Sequence, residues 1–237
     1  VEVVADPMII SGGSSSYLRA NVSGGTGSYT YLWSPSSGMN NPNIQSPIAS
    51  PAETTTYTCT VVSGSESDAA SVTIIVVLPP TDLSAEVDGA NVELTWHAPD
   101  YVDTYNIYRD GELIASDVVD ESYTDVGLGE GLYEYTVTSV YEDIESLSST
   151  IATAIVYDLT VTTYANPSII GEGSQTAISA YASGASGTVT YSWTPANSLE
   201  NPNSSTTAAF PTETTTYTVT ATCGNQSATA DLTVYVV

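Results

Sequence analysis

Lysine is absent from this chain, and Arg19 and Arg109 are its only strongly basic side chains. That scarcity, rather than an excess of acids, produces the formal charge of −25, because only 12% of the residues are charged, against about 25% in ordinary soluble proteins. Without a basic patch, nucleic acid and anionic membrane surfaces are disfavoured as partners. A trypsin-like protease would find almost nothing to cut, which suits an exposed extracellular life. One histidine and two cysteines cannot supply the three or four soft ligands of a zinc site. No apolar run approaches the roughly 18 residues of a membrane-spanning helix, so membrane insertion is not expected. The chain opens on Val1 with no leader or initiator methionine, as expected of a processed product or a segment of something longer.

An internal repeat organises what is there. Residues 7–77 align with 167–237 at one constant offset and without a gap. Tyr31-Leu32-Trp33-Ser34-Pro35 matches Tyr191-Ser192-Trp193-Thr194-Pro195. Asn41-Pro42-Asn43 matches Asn201-Pro202-Asn203, and Glu53-Thr54-Thr55-Thr56-Tyr57-Thr58 matches Glu213-Thr214-Thr215-Thr216-Tyr217-Thr218. The middle stretch aligns with neither copy. It begins after Leu78-Pro79-Pro80, where two prolines stiffen the chain, and no Gly/Ser tether follows it. A semi-rigid rod is the expectation. Cys59 and Cys223 fall at non-equivalent positions in different copies, so no disulfide can form within a module. In Tyr57-x-Cys59-x-Val61, Cys59 reads as a small buried hydrophobe.

Alternation at period two recurs throughout, as in Tyr29-x-Tyr31-x-Trp33, Val72-x-Ile74-x-Val76, Val92-x-Leu94-x-Trp96 and Leu232-x-Val234-x-Val236, and predicts half-buried strands. Asp110-Gly111, between Tyr105-Asn106-Ile107-Tyr108 and Leu113-Ile114, predicts a tight hairpin. No stretch sustains the 3.6-residue period of a helix.

Candidate sites are few. His97 follows Trp96, and alternation points it to solvent; no Gly-x-Ser-x-Gly or comparable nucleophile motif accompanies it, so no catalytic residue is assigned and no enzyme activity is expected. No cofactor is implied. Calcium is the one metal the acids could take: Asp100 and Asp103 share a loop, Asp117, Asp120, Glu121 and Asp125 crowd a second stretch, and Glu142, Asp143 and Glu145 sit in the last hairpin of the middle stretch. None has the Asp-x-Asp-x-Asp-Gly spacing, and solvated acidic loops are the alternative. Asn21, Asn203 and Asn225 fit the N-glycosylation pattern. Among 17 tyrosines and 3 tryptophans, Tyr31, Trp33, Tyr191 and Trp193 alternate in phase towards a core. Tyr101, Tyr108, Tyr141, Tyr164 and Tyr181 are less clearly inward and could stack on sugar rings from the surface.

The middle stretch resembles a fibronectin type III domain through Pro80-Thr81-Asp82-Leu83-Ser84-Ala85, Val92-Glu93-Leu94-Thr95-Trp96, Tyr105-Asn106-Ile107-Tyr108-Arg109-Asp110-Gly111 and Tyr133-Glu134-Tyr135-Thr136-Val137. The resemblance implies a core role for Trp96 and a tyrosine corner at Tyr133. No Arg-Gly-Asp is present, so integrin binding is not implied. The flanking copies resemble PKD-type or immunoglobulin-like repeats of bacterial surface and secreted proteins, although Trp33-Ser34-Pro35 and Trp193-Thr194-Pro195 replace the Trp-Asp-Phe-Gly-Asp-Gly of PKD domains. The expected fold is all-β: three tandem Ig-like β-sandwich modules at 1–78, 79–156 and 157–237. Such modules imply a non-catalytic extracellular or cell-surface segment, a spacer or an adhesive or fibre module whose partners are neighbouring modules or subunits of the same protein. The alternative is an accessory glycan- or matrix-binding region of a secreted hydrolase.

Overall fold

The computed structural model describes residues 1–237, and every regular element in it is a strand. The first stretch holds β1 (Glu2–Asp6), β2 (Ile9–Ser11), β3 (Ser16–Asn21), β4 (Thr30–Ser34), β5 (Ile48–Ala49), β6 (Thr55–Ser63) and β7 (Glu66–Val77). They form two sheets, ordered β1-β3-β5 and β2-β7-β6-β4. All pairings there are antiparallel except β2 with β7, which is parallel. Inward residues of both sheets, among them Leu18, Trp33, Tyr57, Cys59 and Ile74, close one core. Face-to-face burial of alternating residues is what defines a sandwich.

The middle stretch holds β8 (Thr81–Asp88), β9 (Asn91–His97), β10 (Thr104–Arg109), β11 (Glu112–Val118), β12 (Ser122–Asp125), β13 (Gly131–Tyr141), β14 (Ile144–Glu145) and β15 (Ala152–Val156). One sheet runs β12-β9-β8; the other runs β11-β10-β13-β14, with β15 also on β13. The Asp110-Gly111 turn joins β10 to β11, and both residues take positive φ, 52° and 82°, the type I′ geometry whose twist matches the strands it links.

The third stretch holds β16 (Thr160–Asn166), β17 (Ile169–Ile170), β18 (Thr176–Ser183), β19 (Thr190–Thr194), β20 (Thr206–Ala209), β21 (Thr215–Cys223) and β22 (Gln226–Val236). Its sheets, β16-β18-β20 and β17-β22-β21-β19, reproduce those of the first stretch, including the parallel β17–β22 pair. The repeat holds at single bonds. Trp33 Nε1 donates to Ile44 O at 2.9 Å, and Trp193 Nε1 donates to Ser204 O at 3.0 Å. Thr56 pairs with Thr73, and Thr216 with Thr233, each at 2.8 Å. Cis peptide bonds precede Pro7 and Pro35, and likewise Pro167 and Pro195.

No sheet draws strands from two of the three stretches. Compactness divides the chain differently, into two units. Unit 1 comprises Val1–Leu83, Thr95–Glu121 and Tyr135–Ala152; unit 2 comprises Ser84–Leu94, Ser122–Glu134 and Thr153–Val237. Each flanking sandwich thus gathers part of the middle stretch. The fold is all-β, a tandem of Ig-like sandwiches.

Candidate functional site

The acids expected as calcium ligands are held apart or already engaged. No three of the chain's His, Cys, Asp and Glu side chains gather as a metal cluster. Asp103 Oδ2 accepts the Glu142 amide at 2.8 Å, and Glu121 Oε2 accepts the Ala98 amide at 3.1 Å. Asp117 Oδ2 accepts from Ser116 Oγ at 3.1 Å. Asp100, Asp120 and Asp143 are exposed, while Asp125 is buried. Glu145 is the most committed. Its Oε1 accepts from Thr138 Oγ1 at 2.5 Å, Tyr108 Oη at 2.7 Å and Asn106 Nδ2 at 3.0 Å. Partial burial opposes its ionisation, but the three donors outweigh that, and its carboxyl is held below the usual range. Glu145 in turn, with burial, pushes the Tyr108 phenol up.

His97 is exposed, and its Nδ1 lies 3.4 Å from Asp82 Oδ2 on an equally exposed side chain. Cys59 and Cys223 are free thiols in the interior, and burial pushes the Cys59 thiol up, as expected of a packing residue rather than a nucleophile. Trp96 is buried and meets Tyr105 edge-on, centroids 5.1 Å apart. Tyr133 Oη donates to Gly129 O at 3.1 Å, the backward reach of a tyrosine corner. Tyr29 Oη makes the same kind of bond to Gly24 O.

Two arrangements stand out, both within unit 2. The first is a meeting of two hairpin turns, Gly89-Ala90 between β8 and β9 and Gly224-Asn225 between β21 and β22. The Gly89 amide donates to Ser186 Oγ at 2.7 Å, and the Ala90 amide to Asn225 Oδ1 at 2.8 Å. Asn225 Nδ2 donates to Asn91 Oδ1 at 2.8 Å, and the Gly127 amide donates to the same Asn91 oxygen at 3.2 Å. A Cβ on Gly89 would stand 2.4 Å from Asn225 Oδ1, and one on Gly224 would stand 3.0 Å from Asp88 Oδ1. At Gly89 glycine is required by contact as well as by positive φ, and at Gly224 the positive φ decides. Asn225, a glycosylation candidate by sequence, is thus a clamp whose amide is engaged at both ends; Asn203 is exposed and Asn21 half-buried.

The second arrangement is the outer face of the β16-β18-β20 sheet. Tyr164 and Tyr181 stand out from it, 59% and 63% exposed. The register pairs Thr162 with Tyr181 and Tyr164 with Ser179, so the two rings are diagonal neighbours on one face. Of the other tyrosines expected near the surface, Tyr101 is exposed and meets the half-buried Tyr141 edge-on at 5.7 Å. Tyr108 is half-buried over Glu145. Tyr31 and Tyr191 pack against the cores that bury Trp33 and Trp193. Sequence reasoning did not single out Tyr17, Tyr157 and Tyr235, which are also exposed.

No protein-family model matches the chain. It is 42% identical over 72 residues, 27% of its length, to the amylopullulanase of Thermoanaerobacter thermohydrosulfuricus, and it spans 5% of that protein. Among solved structures it is similar to an Fn3-like protein from Clostridium thermocellum at 34% identity, covering 34% of this chain and 93% of that one with a TM-score of 0.32. It is also similar to three N-terminal domains of the bacteriophage RB49 outer capsid protein Hoc, at 14% identity over 100% of this chain and 98% of that one, TM-score 0.46. An I-band fragment of titin matches at 14% identity over 99% of this chain and 98% of that chain, TM-score 0.40. No helix is long and apolar enough to cross a membrane.

Proposed function

We propose that this chain is a non-catalytic extracellular segment that spaces or assembles neighbouring parts of a larger protein. The turn-to-turn clamp in unit 2 carries this reading. Three hydrogen bonds, from the Gly89 and Ala90 amides and between Asn225 and Asn91, fix part of the middle stretch to the third sandwich without any flexible tether, and the Gly127 amide holds Asn91 in place. Holding modules in fixed orientation is the task of a spacer, and the default for linked domains is relative motion. The neighbouring-module partners and the fibronectin type III and PKD-type assignments belong to the same reading.

Small-angle scattering tests it. A Ser186→Ala/Asn225→Ala double variant should broaden the distribution of interatomic distances relative to the native chain. A native profile that already demands a wide ensemble would remove the spacer reading. The likeness to part of an amylopullulanase favours a second reading, an accessory region of a secreted polysaccharide-degrading enzyme with a glycan-binding role. Finding a hydrolase domain on the same polypeptide would support it, and a full-length gene without one would count against it.

A further inference from the structure

We propose that the outer face of the β16-β18-β20 sheet binds a neutral polysaccharide, with Tyr164 and Tyr181 stacking on its sugar rings. Besides these two rings, the face presents Thr160, Thr162, Asn166, Ser179, Ser183 and Thr206, with alanines between them. None carries a charge, in a chain whose net charge is −25. The first sandwich shows that this is not a requirement of the fold. Its equivalent face, on β1, β3 and β5, carries Glu2, Asp6 and Arg19, with Val4 and Asn21 where the third sandwich has Tyr164 and Tyr181. Relative to the first copy, the face of the third sandwich carries no charge and has rings at Tyr164 and Tyr181, while the first copy's one exposed ring there, Tyr17, is replaced by Ala177.

The composition of the face selects the ligand. A cation would need carboxylates, and a phosphate or acidic chain would need a base; the face has neither. The hydroxyls pair with one another or with backbone, Thr160 with Ser183, Thr206 with Ser179 and Thr162 with Tyr181 O, but each oxygen keeps a lone pair that water now solvates, and a mainly apolar partner would strip that water without replacing it. A neutral polyhydroxylated chain satisfies both components. Its C–H-lined ring faces stack on the tyrosines, and its hydroxyls exchange hydrogen bonds with the Thr, Ser and Asn frame. The diagonal placement, about 7–8 Å apart at the backbone, lets two rings address successive or alternate sugars of one chain. The proposal rests on the glycan-binding reading above and gives it a surface.

Affinity electrophoresis and calorimetry of the intact chain with pullulan, amylopectin, mixed-linkage β-glucan and xylan test it. At least one should retard the chain. Tyr164→Ala and Tyr181→Ala should each weaken binding about tenfold, Tyr164→Phe should retain it, and Tyr17→Ala on the first sandwich should leave it unchanged. Circular dichroism and melting temperature should be unaltered, since both side chains are exposed. Binding that survives both alanine substitutions would overturn the site while leaving the glycan-binding reading intact. Absence of retardation by all four polysaccharides would overturn both. Self-association abolished by the same substitutions would show that a second copy of the chain, not a glycan, covers the face.

Discussion

Trp33 and Trp193 each bury a large ring and spend its one polar hydrogen on a loop carbonyl, Ile44 O or Ser204 O. Two terms therefore respond to substitution, lost packing and an orphaned acceptor. Trp193→Ala should cost about 3–5 kcal/mol, read from urea unfolding. Trp193→Phe, which keeps most of the packing but leaves Ser204 O unpaired, should cost about 1–3 kcal/mol. The cysteines are packing residues. Cys59 lies opposite Trp193's counterpart Trp33 in the β4–β6 register, and its burial raises the thiol pKa. An aromatic disulfide reagent at pH 8 should therefore label neither thiol in the native chain and both after denaturation. Rapid labelling of the folded chain would contradict the packing role. The inward placement of Trp33, Trp193 and Cys59 was legible from alternation alone, because a residue's side of a strand depends only on its own period; the carbonyls that meet the indole N–H groups lie on loops that alternation does not reach.

At the scale of elements, the β10–β11 hairpin follows directly from two residues. Gly111 has φ +82°, so Gly111→Ala should cost about 1–2 kcal/mol, measured as a lowered denaturation midpoint. The β10, β13 and β14 strands depend on something the sequence hides. Asn106, Tyr108 and Thr138 converge on one oxygen of Glu145 only because the register sets Asn106 opposite Thr138 and hairpins β14 onto β13. Because the folded carboxyl sits below its unfolded pKa, its stabilisation is present above the unfolded value, near pH 4.3. It is lost as pH falls through the folded value. Glu145→Gln should flatten the acid limb of the stability profile below the unfolded carboxylate value, without abolishing folding. Read as a linear string, Glu142, Asp143 and Glu145 look like a metal loop. Paired strands turn one of them into an internal acceptor, and pairing between distant strands is what local patterns cannot supply.

At the scale of the molecule, duplication and compactness divide the chain along different lines. The repeat marks two similar sandwiches around a third stretch, yet unit 2 takes in Ser84–Leu94 and Ser122–Glu134 along with Thr153–Val237. The clamp supplies the physical reason. Backbone amides at the tip of the β8–β9 hairpin find their acceptors on Ser186 and Asn225, so this hairpin's polar groups are satisfied by the third sandwich. The first copy has Ser65 where the third has Asn225, and serine cannot offer an acceptor and a donor on one planar group as asparagine does. Asn225→Ala should therefore speed hydrogen exchange of the Ala90 amide, while amides of the β21–β22 ladder away from the turn keep their protection. Gly89→Ala should have the larger effect on the hairpin, since its Cβ would collide with Asn225 Oδ1 and its φ of +61° disfavours any side chain. A double-mutant cycle between Asn91→Ala and Asn225→Ala should return a coupling of about 0.5–3 kcal/mol. Zero coupling, with Ala90 exchange unchanged in Asn225→Ala, would mean that the two turns touch without holding each other.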